Sequence, residues 1–141
     1  MANIVPDSFK EELFEAIHDF TASTGDAFKL ALYSTVTGFS AASTTAYTTT
    51  NEVSGTGYTA TGAALVNISP TVAQNIAFVD FNDVTFSTAT ITASAALIYN
   101  TTNSSKAVVV LDFGGNKTST NGDFTIQFPA ANSTSAIIRI S

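Results

Sequence analysis

The chain has 141 residues, of which 45% are hydrophobic and only 11% charged, against the usual charged share of about 25%. Its polarity comes from 23 Thr and 15 Ser, with no Cys, no Trp and a single His, which excludes a disulfide framework and a thiolate metal site and leaves little for a His-based active site. A net charge of −6 opposes direct binding to nucleic acid, which needs Lys and Arg to displace counterions, and equally opposes docking on anionic lipid.

In chain order, Ala2–Pro6 predicts a short N-terminal arm within residues 1–6. Residues 8–20 predict an amphipathic helix. Ser8 and Glu11 have the spacing of a capping box, and Phe9, Leu13, Ala16, Ile17 and Phe20 recur along one stripe. Glu11, Glu12, Glu15, His18 and Asp19 fill the polar side, where His18 is expected to be solvated. Phe14 lies off the stripe and is assigned to a contact with something else. Six of the 11 acids fall within the first 26 residues.

The period then changes to two. Phe28, Leu30 and Leu32 alternate with Lys29, Ala31 and Tyr33, as in a strand. Residues 34–61 are rich in Ser, Thr and Gly and predict a long loop, a kind of segment that tends to be functional or disordered. The second half predicts strands over 63–69, 75–80, 83–87, 89–99, 106–113, 123–128 and 135–140. Ile91, Ala93, Ala95, Leu97 and Tyr99 are assigned to one face. The run Ala107–Leu111 suits a central strand covered on both sides. Asn100–Ser105 predicts a hairpin loop and Gly114–Gly122 a longer one. About eight short strands behind one helix indicate a single mainly β domain, an antiparallel β-sandwich or barrel with an N-terminal amphipathic helix.

Few residues offer chemistry. The candidates for a carboxylate pair or a calcium loop are Asp80, Asp83, Asp112 and Asp123, and all four are better explained as turn residues whose side chains bond the local backbone. No Gly-x-Ser-x-Gly elbow occurs, and Gly114–Gly115 precedes no helix that could cradle a phosphate. Neither a catalytic residue nor a cofactor is expected. Tyr47, Tyr58 and Tyr99 are the candidate exposed aromatics of a binding face. No leader with a basic and an apolar region is read, nor any apolar run approaching the ~20 residues of a membrane span.

Several stretches carry a likeness along nearly the whole chain: Asn3–Phe20, Tyr47–Tyr58, Ala96–Asn100, Lys106–Gly115, Phe124–Pro129 and Ala136–Ile140. In these the chain resembles a family of small virion proteins of tailed bacteriophages. The resemblance implies a structural component of the particle, located in the virion after assembly in the host cytoplasm, and carries no catalytic residues with it. The expectation is a capsid decoration (cement) protein that binds the major capsid protein in many copies as a homo-oligomer, with a trimer favoured. Ile4, Val5, Pro6, Phe14, Tyr47 and Tyr58 are the expected partner contacts, and removal of residues 1–6 is expected to change the melting temperature by no more than a few degrees. A neck or tail component, and a glycan- or receptor-binding module of a fibre, remain as alternatives.

Overall fold

The computed structural model describes residues 3–141; Met1 and Ala2, part of the expected arm, lie outside the described residues. Helix α1 (Asp7–Phe14) is followed by strands β1 (Phe28–Tyr33), β2 (Ala63–Ala64), β3 (Asn67–Ala73), β4 (Ile76–Phe81), β5 (Val84–Asn100), β6 (Lys106–Ile126) and β7 (Ile138–Ile140). A four-stranded sheet has the order β2-β1-β5-β6 and a three-stranded sheet the order β3-β4-β7. Every strand pair is antiparallel. The fold is the expected mainly β sandwich with one N-terminal helix, built from seven strands.

The main core lies between the two sheets. Phe28, Leu30 and Leu32 of β1 and Ile98 of β5 meet Phe81 of β4 there, with Val79 and Ile138 packed alongside and Phe9 of α1 closing one end. Phe20 stacks on Phe28 with ring centroids 4.6 Å apart. The opposite face of the four-stranded sheet carries Ala31, Tyr33, Ala95, Leu97, Tyr99, Ala107 and Val110, covered by Ile4, Val36, Phe39 and Tyr47. The Ser/Thr-rich segment 34–61 is thus the second cover of the sheet. It holds on by isolated pairings, among them Val53 N–H to the Leu32 carbonyl at 2.9 Å and Ala107 N–H to the Thr45 carbonyl at 3.0 Å.

Several expectations are corrected. The helix ends at Phe14 rather than at residue 20, because Ala16, just past the C-cap Glu15, takes a left-handed φ of 57°. The turn swings His18 beneath the helix, where buried side-chain bonds replace further helical ones. The capping box does not form: the N-cap is Pro6, and the Ser8 hydroxyl instead donates to the Thr44 carbonyl at 3.4 Å. The expected strands 83–87 and 89–99 are one strand, β5, with a bulge where Thr88 has a φ of 50°. The expected loop Gly114–Gly122 lies within β6. There the extra residues opposite Ser94 are absorbed by a bulge at Gly114 (φ 72°), a backbone state that costs glycine little.

The same irregularity changes the phase of β5. Ile91 and Ala93 face the main core, whereas Ala95, Leu97 and Tyr99 face the loop-covered side, so the five do not share one face. The apolar run Ala107–Leu111 is buried on both faces as expected, but β6 is an edge strand and not a central one. Its edge is blunted by the arm: Ile4 N–H donates to the Val110 carbonyl at 2.9 Å, and Val110 N–H returns a bond to the Ile4 carbonyl at 2.8 Å. With Pro6 also buried, the arm belongs to the fold.

Candidate functional site

Two polar clusters and one apolar rim gather the residues that the sequence singles out. The first cluster joins α1 to the tip of the β5–β6 hairpin. The side chains of Glu12 and His18, expected on a solvated face, are buried, that of His18 at 0% exposure. Glu12 Oε1 accepts from Lys106 Nζ at 2.8 Å, and Oε2 lies 2.7 Å from His18 Nε2. Asn100, also buried, accepts the N–H groups of Thr102 and Asn103 on its Oδ1. That fixes its amide orientation, so its Nδ2 donates to His18 Nδ1 at 3.0 Å and to Asp26 Oδ2 at 2.8 Å. His18 is then a neutral imidazole that accepts at Nδ1 and donates from Nε2 to Glu12. Asn103 Nδ2 completes the set, with bonds to the Ile17 carbonyl and to Asp26 Oδ2. Every polar atom at the centre is engaged, so the cluster clamps residues 15–27 on the hairpin. The ion pair to Glu12 raises the Lys106 ammonium above its usual range.

The second cluster holds the 34–61 segment. Glu52 is the only charged residue between Lys29 and Asp80. Its Oε2 accepts from the Tyr47 hydroxyl at 2.6 Å, and its Oε1 accepts from the Tyr58 hydroxyl at 2.7 Å and from Thr61 N–H at 2.7 Å. The Tyr58 hydroxyl also accepts Leu32 N–H at 3.0 Å. Tyr33 and Tyr99 donate to the Thr48 and Thr61 carbonyls, each at 2.7 Å, and Tyr47 stacks on Tyr99 at 4.8 Å between centroids. All four tyrosines of the chain meet here. Burial pushes each phenol up, and the carboxylate of Glu52 adds to the rise. The close return of residues 61–63 to β1 depends on Gly62 (φ 79°), where a Cβ would collide with the Leu30 carbonyl.

Tyr99 is therefore a buried core residue and not an exposed aromatic, while Tyr47 and Tyr58 are half-buried with their hydroxyls committed to Glu52. The clue to Glu52 that the sequence offers is its isolation: one acid amid some fifty uncharged residues, flanked by two tyrosines.

The four candidate aspartates do not act alike. Asp83 Oδ1 accepts Phe128 N–H at 2.7 Å, Asp112 accepts Gly114 N–H at 2.8 Å at the bulge, and Asp123 accepts Thr88 N–H at 3.4 Å. Only the Asp112 bond, to backbone two residues on, is of the kind expected; Asp83 and Asp123 instead tie down backbone 45 and 35 residues away. Asp80 departs from its expected turn role. It lies within β4 at 1% exposure, its Oδ1 accepts Phe81 N–H, and its Oδ2 makes no hydrogen bond of good geometry. Burial holds its carboxyl above the usual carboxylate range against the pull of the Phe81 and Ile137 N–H groups, and the Asp83 charge reinforces the rise.

The apolar rim lies where α1 meets the three-stranded sheet. Phe14, expected off the stripe, is 96% exposed, with Val5, Val72 and Ile140 also exposed. A cleft of about 200 Å³ opens here, lined by Phe9, Leu13, Pro70, Ala77, Val79 and Ile140 among others. A separate cleft of about 400 Å³ in the loop cover is lined by Phe39, Tyr47, Thr37, Thr45, Thr50 and Asn51. Among the described residues no group of three or more His, Cys, Asp or Glu is placed to hold a metal ion, and no helix is long and apolar enough to cross a membrane. Comparison with protein-family models, with curated proteins and with solved structures returned no match.

Proposed function

We propose that this protein is a structural component of a bacteriophage particle, a decoration (cement) protein bound to the major capsid shell in many copies. The reading follows from the family resemblance in the sequence and from the way the chain spends its polar groups. The one observation that carries it is a contrast. The ionisable groups that converge, around Glu12 and around Glu52, are consumed in holding the molecule together, whereas large apolar side chains stand outside at one rim. Such a molecule acts through the surface it presents. Hydroxyl-rich strand faces suit that role, since Ser and Thr donate and accept across a wet interface.

The test is electron microscopy of intact particles with the copy number measured in parallel. Density for this sandwich repeated across the shell is the expected result. A single ring at the neck, or density only on a fibre, overturns the decoration reading.

The loop-cover cleft favours a second reading, a glycan-binding module, because hydroxyls and an amide surround the Phe39 ring there. It requires that the purified chain bind a saccharide and that Phe39→Ala lose the binding.

A further inference from the structure

Every glycine of the chain but one has a structural reason to be glycine. The others take a left-handed φ or sit where a Cβ would strike backbone. Gly122 does neither: its φ lies outside that region, and a Cβ there would meet only the Thr120 carbonyl at 3.6 Å, an ordinary contact. The fold would accept alanine at this position. What glycine supplies is a backbone nitrogen with no Cβ beside it to hinder attack. Asn121 is the only asparagine of the chain that glycine follows.

The backbone is irregular at this point. In the β5–β6 ladder Ala89 pairs with Gly122 and Ile91 with Ser119. Thr120 and Asn121 therefore stand together opposite Thr90, as in a bulge, and Asn121 takes a φ of 48°. Asn121 is exposed. Its N–H donates to Thr90 Oγ1 at 3.0 Å, and that hydroxyl donates at 3.4 Å to Asn121 Oδ1. Its Nδ2 makes no hydrogen bond among the described residues. Other asparagines are locked: Asn100 and Asn103 each place Nδ2 in two bonds, and Asn132 Oδ1 accepts the N–H groups of Thr134 and Ser135.

We propose that Asn121–Gly122 is a site of spontaneous backbone rearrangement in the folded protein. The Gly122 nitrogen gives up its proton to solvent base and attacks Asn121 Cγ. The N–Cγ bond forms, the Cγ–Nδ2 bond breaks, and Nδ2 leaves as ammonia with a proton from solvent. The Thr90 hydroxyl stands beside the oxygen on which negative charge gathers during the attack. The product is a five-membered succinimide, and water, the only co-reactant, opens it. Addition at Cγ gives aspartate. Addition at the backbone carbonyl gives isoaspartate, in which the main chain runs through the former side chain. Either product sets a new carboxylate beside Thr90 and two residues from Asp123. Isoaspartate also adds one atom to the backbone of β6, which shifts Gly122 against Ala89 and loosens Gly122–Ile126 from β5. The inference stands apart from the particle reading above.

Peptide mapping by mass spectrometry of the purified full chain, aged folded at neutral pH, tests it. Isoaspartate is the diagnostic product, because direct hydrolysis of the side-chain amide gives aspartate alone. It is expected at residue 121, forming about tenfold or more faster than any change at Asn116, which is exposed but followed by Lys. Gly122→Ala is expected to slow the reaction about tenfold or more with an unchanged thermal midpoint, since its Cβ finds room. The aged wild type is expected to lose amide protection over residues 122–126. A folded chain that keeps Asn121 intact, while the same chain in denaturant forms isoaspartate, overturns the proposal, because the fold then shields the site. A Gly122→Ala chain that reacts as fast as wild type also overturns it. If Gly122→Ala fails to fold, the comparison of folded with denatured wild type decides alone: comparable rates support the proposal, and a protected folded chain overturns it.

Discussion

The four-stranded sheet meets a second sheet on one face and a loop with little regular structure on the other. The sandwich face is held by large apolar groups: Phe20, Phe28 and Phe81 lie within 4.6 to 6.2 Å of one another between ring centroids. The loop face is buried just as completely, with Tyr33, Leu97 and Val110 inaccessible, but its cover is Thr- and Ser-rich. A strand brings its backbone bonds with it, whereas residues 34–61 close theirs largely through turns and side chains, and their anchorage is gathered at Glu52. Apolar packing spread over many residues therefore holds the sandwich face, and hydrogen bonds gathered at Glu52 hold the cover of the other.

That difference predicts unlike responses to single changes. Phe28→Ala removes a fully buried ring from the centre of the sandwich and is expected to cost about 3–5 kcal/mol, lowering the thermal midpoint in one cooperative transition. Glu52→Ala leaves three donors without their acceptor and is expected to cost about 3 kcal/mol. Here the loss is local: protease cuts should appear within residues 34–61 while the sandwich core keeps its amide protection. If Glu52→Ala unfolds the whole chain at once, or leaves the loop resistant, the contrast between the faces is wrong. Alkaline pH probes the same cluster. The folded phenols titrate above their ordinary value of 10.0, so their contribution is complete below that value and is lost as pH rises through the folded one. Tyrosinate absorbance should thus appear only together with release of the loop, and separate titration at the ordinary value would refute the anchorage.

How far the sequence foretold this follows the same line. Strand β1 is legible from its alternation, and the buried part of β6 from an unbroken apolar run. The helix was overextended because the stripe through Ile17 and Phe20 continues in sequence while the backbone turns at Ala16. Nothing local shows that His18 finds Asn100, 82 residues away. The strand ends expected at Thr88 and over Gly114–Gly122 are bulges within continuous strands, since the sequence cues for turns and bulges coincide. The exposure of Phe14 is legible from its place off the stripe, and the arm from its distinct composition. The cleft lined by Leu13, Ala77 and Ile140 is not, because three elements distant in sequence build it.

The arm offers an intermediate case. Removing residues 1–6 breaks the reciprocal Ile4–Val110 pair and uncovers part of the β6 edge. At about 1 kcal/mol per hydrogen bond this costs roughly 2 kcal/mol, or about 4–8 °C for a chain of this size. A calorimetric midpoint within a degree of wild type would show that the edge needs no cover, and soluble aggregates of the truncated chain would show that it does.

The smallest effect belongs to Asp80, the one acid that the sandwich side keeps poorly bonded. Its folded carboxyl titrates above the ordinary 3.8 because burial disfavours the charge and Asp83 repels it. The fold therefore favours the protonated form: the stabilising contribution is complete below the unfolded value and is lost as pH rises through the folded one. The surroundings of Asp80 resist its charge, and Asp80→Asn removes that charge while keeping an acceptor for Phe81 N–H. Relative to wild type, the variant should gain thermal stability on going from about pH 4 to about pH 7, the direction that linkage requires for an acid with a raised folded value. A midpoint difference that is flat over that range, or one that shrinks as pH rises, would mean that Oδ2 has a partner strong enough to hold the carboxylate. The contrast between a well-satisfied loop cover and a second sheet carrying one poorly bonded acid would then disappear.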